Sequence, residues 1–248
     1  MKPMRLCVAM FGKVWAKVDP TRGMIGRVGG GLLGLAIQSI QAQTPTAEAA
    51  SVAVLFNSKE SRSREVAEFY VRQRGIPETN LIGLGCESTE ILTREQYERQ
   101  VVVPLREQLE AKGLAHFIPE PAPAHPRPGV AAHRLMRSSI RYVVLAYGMP
   151  YRVAHEPNLG EVVPDSVPPL LRNNGASVDA ELTVFPSGGL FPVTGPANNP
   201  FQGATNAALL QPDARDGGVF LVSRLDGPTP ELAMGLVTLA MQADRDGL

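Results

Sequence analysis

The chain has 248 residues, 44% hydrophobic and 19% charged, with 24 basic side chains balancing 24 acidic ones. That composition excludes a disordered chain and a polybasic nucleic-acid binder, and an aromatic content of 6% is too thin for base-stacking platforms. No stretch of about 18 or more residues is apolar throughout, which excludes an ordinary transmembrane span, and the 24 glycines and 22 prolines predict long loops between core elements.

From Met24 the sequence runs MIGRVGGGLLGLAIQSIQAQ, with one positive charge at Arg27, an apolar core over residues 28–37 and Ala42 after a polar stretch. This is the pattern of a short signal peptide. Residues 1–23 are long for a charged leader region, which leaves Met24 as an alternative translation start to Met1. Residues 1–42 are therefore expected to be processing sequence, and residues 43–248 a single domain exported to the periplasm or the medium. Cleavage after Ala42 removes six basic residues and one acidic, leaving 18 basic against 23 acidic side chains. A mildly acidic surface repels nucleic acid and anionic lipid, so neither is expected as a partner. Cys7 leaves with the leader and Cys86 remains alone, so no internal disulfide forms; no cysteine sits at the cleavage site to carry a lipid, so no stable membrane anchor is expected. Gly29-Gly30-Gly31-Leu32-Leu33-Gly34 matches the dinucleotide fingerprint in letters only. No strand precedes it to deliver the turn, so no cofactor is expected there.

Residues 51–56, Ser-Val-Ala-Val-Leu-Phe, form an apolar run that stops at Asn57-Ser58, the pattern of a buried strand. A helix follows over 63–74, with Val66, Ala67, Phe69, Tyr70 and Val71 broadly on one face, Ser63 as N-cap and Gly75 just past its end. Ile76-Pro77 turns the chain into a second strand at 81–84. Thr93-Arg-Glu-Gln96 is a capping box that opens a long helix to about Lys112, with Val101, Val102, Leu105 and Leu109 facing inward and Gly113 stopping it. Residues 117–129 carry five prolines, which predicts an exposed insertion and neither helix nor central strand. Residues 140–146, Ile-Arg-Tyr-Val-Val-Leu-Ala, are the strongest strand and belong at the centre of the sheet. A long stretch rich in Pro, Asn and Gly follows to about Asp216, in which only 180–184 looks strand-like or helical. Residues 219–222 read as a strand, and 229–243 as a helix with Thr229 as N-cap and Pro230 at its first position. Alternating strands and helices predict an α/β fold with a parallel, doubly wound sheet interrupted by long Pro/Gly-rich loops. The chain ends just after a helix, where such a fold would supply another strand, so it reads as the front portion of something longer.

Residues 52–58, 70–84, 140–153, 177–182 (Ser-Val-Asp-Ala-Glu-Leu) and 221–230 (Leu-Val-Ser-Arg-Leu-Asp-Gly-Pro-Thr-Pro) resemble a family of exported bacterial proteins with no assigned activity, whose members are longer than this chain. More distantly, residues 140–245 are similar to the non-catalytic α/β subdomain that precedes the catalytic subdomain of gingipain-type cysteine peptidases. That resemblance implies a caspase-like architecture, related in layout to a flavodoxin-like sheet. The catalytic dyad of those peptidases has His before Cys. Here Cys86 precedes His116, His125, His133 and His155, so the dyad is not carried onto any residue.

In parallel sheets ligands collect outside the carboxyl ends of the strands. Those loops offer Asn57 and Ser58, then Tyr147, Gly148 and Arg152, then Arg224 and Asp226, with Asp179 and Glu181 in the long loop as companions. Grouped carboxylates there suit a hard cation such as Ca²⁺ or acid–base work. The structural alternative, which is favoured, is that Arg224 pairs with Asp179 or Asp226 to pin the loop while Asn57 caps the turn after the first strand. Cys86 reads as an unreactive thiol, because nothing in the spacing brings an imidazole to it. His125 and His133 lack metal-ligand spacing, and the segment around Ser177 lacks the second glycine of a nucleophile elbow; no metal is expected. The leading expectation is an exported, non-catalytic binding or scaffold domain. The competing one is the N-terminal part of a peptidase-like hydrolase whose catalytic residues lie beyond Leu248.

Overall fold

A computed structural model describes residues 45–125, 131–161, 163, 165–197 and 218–247. The leader reading of residues 1–42 and part of the proline-rich insertion lie outside the described residues. In chain order the elements are α1 (Ala47–Ala50), β1 (Val52–Asn57), α2 (Ser63–Arg74), β2 (Leu81–Leu84), β3 (Ile91–Leu92), α3 (Arg94–Tyr97), a π-helical turn (Glu98–Val102), α4 (Val103–Ala111), β4 (Ala115–Pro119), β5 (His133–Ser138), β6 (Tyr142–Ala146), β7 (Arg152–Val153), β8 (Ala176–Ser177), α5 (Val178–Val184), β9 (Leu221–Leu225) and α6 (Pro230–Asp246).

Four strands make one all-parallel sheet in the order β2-β1-β6-β9. Period-two alternation sends Ala53, Leu55, Val143 and Leu145 to one face and Val52, Val54, Phe56, Val144 and Ala146 to the other. Both sets are buried, because helices cover both faces. The first face receives Tyr97, Val101, Leu105 and Leu109 from the α3–α4 segment and Val178 and Leu182 from α5. The second receives Val66, Ala67 and Val71 of α2 and Ala233 and Val237 of α6. β6 lies inside the sheet, as its unbroken apolar run predicts. The chain steps from β1 outward to β2, then returns past β1 to β6, so the winding reverses between β1 and β6.

The two edges differ. Leu84 O faces β1, where it accepts from Ser58 N, so the alternation turns Gly83 O outward, and there it accepts from Gln108 Nε2 of α4 at 2.7 Å. β9 has no outer neighbour among the described residues.

Several boundaries differ from the sequence reading for identifiable reasons. Ile140 is buried but its N–H goes to Ser138 Oγ at 2.9 Å, so the β6 ladder starts only at Tyr142. Phe220 N donates to Thr183 O at the end of α5, and β9 accordingly runs from Leu221 to Leu225. The five-proline stretch is not all loop: residues 117–119 form the end of β4, an antiparallel partner of β5, with Phe117 and Leu135 buried and Pro119 at the end of the pairing next to the connecting loop. Ser63 is the first helical residue and not the cap. Its hydroxyl accepts from Asn57 N at 2.9 Å, and Arg62 occupies the cap position with no side-chain bond. Thr93 and Gln96 do form the predicted capping box.

The helix after Thr93 is interrupted by the π turn. Pro104 has no N–H to offer the Gln100 carbonyl four residues before it, which removes one α-helical bond. Val103 N reaches back five residues to Glu98 O, and Cys86 Sγ stands 3.9 Å from the Gln100 carbonyl oxygen as a weak donor. The one cysteine of the described residues is thus seated on the carbonyl that Pro104 leaves open.

Candidate functional site

The carboxyl ends of β1, β6 and β9 form a rim, and the rim residues bond to one another. Asn57, fully buried at the end of β1, accepts from Lys59 N through Oδ1 at 3.0 Å, the turn-capping role expected of it. Its Nδ2 crosses the point where the winding reverses and donates to Gly148 O at 3.1 Å. Ser58 Oγ donates to Leu84 O at 3.2 Å. Gly148 has φ 77°, and a Cβ at that position would run into the Glu60 side chain, so only glycine lets the two loops meet. Lys59 pairs with Glu87 at 2.9 Å and holds that carboxyl below its ordinary range.

Arg224 completes the rim from the edge strand. Its guanidinium donates to Met149 O at 2.8 Å, to Pro150 O at 2.9 Å and to Asp179 Oδ2 at 2.7 Å, with Asp226 Oδ2 at 3.8 Å. The fork of planar donors suits this, since two carbonyls and a carboxylate lie within reach of one side chain. Asp179 sits in the first turn of α5, where the helix dipole favours a negative charge. The structural reading of Arg224 and Asn57 is the arrangement observed.

Other expected companions do not join this cluster. Asp179 and Glu181 are two positions apart on a helix, about 200° around its axis, so they cannot share a ligand. Glu181 turns to Arg94 on the neighbouring helix, with contacts of 2.8 Å from Nη1 and from Nη2 and both side chains 6–7% exposed. Tyr147 packs half-buried against the second core, and Arg152 is exposed on β7 opposite Ile91 and Ser177. Cys86 is fully buried, and burial pushes its thiol up to about 12, so no thiolate is available at neutral pH. Among the described residues no three His, Cys, Asp or Glu side chains gather as metal ligands, and no helix is long and apolar enough to cross a membrane.

Two polar assemblies escaped the sequence reading. One is the buried Arg94 system: Nη2 also donates to Asn174 O at 2.8 Å, and the guanidinium lies 5.7 Å from the Tyr97 ring centroid. Beside it, Tyr97, Glu98, Arg106, Phe117 and Phe185 line a cavity of about 50 Å³. That space suits a few waters better than an organic ligand. The second is a cavity of about 220 Å³ formed by the loops at His155, Glu161, Arg172, Asn174 and Thr194. The only sequence signal for either was the spacing of Arg94 and Glu98, four apart after a capping box, which reads equally well as a solvated helix face.

No protein-family model, curated protein or solved structure matches the chain. The resemblances to an exported family and to the gingipain-type subdomain therefore stand on the sequence motifs alone.

Proposed function

We propose that the chain is an exported, non-catalytic binding domain whose ligand-facing side is the rim at the carboxyl ends of β1, β6 and β9. The observation that carries this reading is the mutual bracing of the rim: Asn57 locks the β1 loop to the β6 loop, and Arg224 locks the β6 loop to α5. A rim fixed this way presents backbone groups and the Ser58 hydroxyl in a constant arrangement, which lowers the ordering cost of binding. Side chains committed to holding loops are poor candidates for proton transfer, which needs a group free to reach substrate. The finer architecture, a doubly wound flavodoxin- or caspase-like sheet, belongs to the same proposal; the order β2-β1-β6-β9 with its reversal between β1 and β6 supports it. Export rests on the leader pattern ending at Ala42.

The test uses the protein recovered from the medium or periplasm of its native host. Its intact mass is expected to correspond to a chain beginning at Gln43. Native-spray mass spectrometry is expected to show a retained small molecule that is lost in Asn57→Ala, together with no hydrolysis of casein. Casein turnover by that sample, abolished in Asn57→Ala, would replace the binding reading with the hydrolase one.

A further inference from the structure

The cavity of about 220 Å³ lies in the loops beyond β7 and is lined by His155, Glu161, Arg172, Asn174 and Thr194, none of which belongs to the rim. Its acceptors are already used. Glu161, 6% exposed at the side chain, takes Val193 N at 2.9 Å and Thr194 N at 2.6 Å. Asn174, 4% exposed, accepts from Glu156 N through Oδ1 and donates to Glu156 O through Nδ2, both at 2.7 Å. Those two bonds fix which way the Asn174 amide faces, because only one orientation satisfies a neighbouring N–H and C=O together.

The fixed amide decides the state of His155. Its Nδ1 is 2.8 Å from Asn174 Oδ1, an acceptor, so Nδ1 carries the proton; the Asn174 N–H at 3.3 Å is the weaker competing contact. Nε2 is then the nitrogen left for a ligand, and as an imidazolium it is a donor. Arg172 donates through Nε to Val167 O at 2.9 Å and through Nη2 to Asp165 O at 3.4 Å, while its ion pair with the fully exposed Asp165 is 3.6 Å long. Such a surface pair holds weakly and yields readily to a better-placed anion. Thr194 is nine-tenths buried and lines the cavity.

We propose that this cavity binds a small oxyanion, a carboxylate or phosphate group, between His155 Nε2, the Arg172 guanidinium and the Thr194 hydroxyl. These three wall groups can all donate, and a ligand rich in acceptors matches them. The charged groups around His155 are Glu156 beside it, Glu161 and Arg172 on the wall, Asp165 against Arg172 and Arg94 behind Asn174. The Glu161 charge is countered by two backbone N–H groups, and His125 Nδ1 lies 3.7 Å from Oε1.

The test titrates the full chain at about pH 6 with inorganic phosphate, acetate and chloride at matched ionic strength. A saturable shift of the His155 ring resonance is expected with phosphate or acetate and not with chloride. The melting temperature is expected to rise by about 3–6 °C at roughly ten times Kd. Phosphate preferred over acetate identifies a phosphorylated ligand, and the reverse a carboxylate. Arg172→Gln is expected to weaken binding about tenfold; Thr194→Val serves the same purpose should Arg172→Gln not fold. Asn57→Ala is expected to leave the phosphate affinity unchanged, which separates this site from the rim. An equal shift with chloride, or no saturable shift at His155, overturns the proposal.

Discussion

Replacing Arg94 or Glu181 separates electrostatics from packing at the junction of α3 and α5. The two side chains are 6% and 7% exposed and meet through two contacts of 2.8 Å, with Asn174 O as a third partner of the guanidinium. Arg94→Met keeps much of the stem and takes the guanidinium away from the Glu181 carboxylate, where little water reaches it. Breaking one side of such a pair costs about 3–5 kcal/mol. In a domain of about 150–250 residues each kcal/mol lowers Tm by about 2–4 °C, so the variant is expected to melt about 6–20 °C lower. Glu181→Leu, which strands the cation, should lose a similar amount. The double variant Arg94→Met/Glu181→Leu has no buried charge at this pair, and the Asn174 carbonyl, left without its donor, accounts for about 1–3 kcal/mol. It should therefore be more stable than the two single losses summed, with a coupling of several kcal/mol in urea midpoints at unchanged m-value. Single losses below about 1 kcal/mol, the range of solvated surface pairs, would refute the reasoning, as would a double variant whose loss equals the sum.

Cys86 should react with a thiol reagent at pH 8 only through unfolding, at a rate that rises with denaturant and matches the opening of the fold; rapid labelling in native buffer would contradict its burial. Its thiol is pushed up to about 12 when folded, from an ordinary value near 9. The native state therefore holds that proton where the unfolded chain has lost it, so the stability it contributes is intact below about pH 9 and is lost as pH rises toward 12. Cys86→Ala should flatten that part of the pH–stability curve. Gly83→Ala places a Cβ 2.7 Å from Phe56 Cζ and is expected to cost about 1–3 kcal/mol of overpacking, recovered in part by Phe56→Leu; a neutral Gly83→Ala by calorimetry would show that the ring has room. Thr93→Ala removes a capping box and should lower the urea midpoint by the equivalent of about 1 kcal/mol, with no change at all refuting the cap.

The parts of the fold legible in the sequence are those governed by local rules. β1 and β6 are near-continuous apolar runs, Thr93 is a cap with Gln96 three positions on, Thr229 a cap followed by Pro230, and Gly75 closes α2 at φ 62°. What the sequence hid depends on distant partners. β3, β7 and β8 have two residues each and exist only as a ladder among segments about sixty and twenty-five residues apart, too short for any periodicity to show. The β4–β5 hairpin hides behind Pro119, because a proline at the end of an edge pairing is permitted where one inside a central strand is not. At the site, β6 ends at Ala146 as its apolar run predicts and β1 ends at Asn57, whereas β9 runs on to Leu225 and takes Arg224 into the strand; Arg224 and Asn57 still do what their residue types suggest. Asp179 and Glu181 looked like a pair only while their segment was taken as loop; once it is helix, their separation around the axis assigns them to different neighbours.

The unequal edges of the sheet bear on how copies of the chain could associate. With the outward carbonyl of Gly83 capped by Gln108, β2 offers a poor template for another strand. Among the described residues, lateral growth is then confined to β9. One strand edge joining its own counterpart across a two-fold axis uses up both growing ends at once. Misassembly through this sheet would accordingly stop at two molecules, and an open fibril would require β2 to shed its cap first.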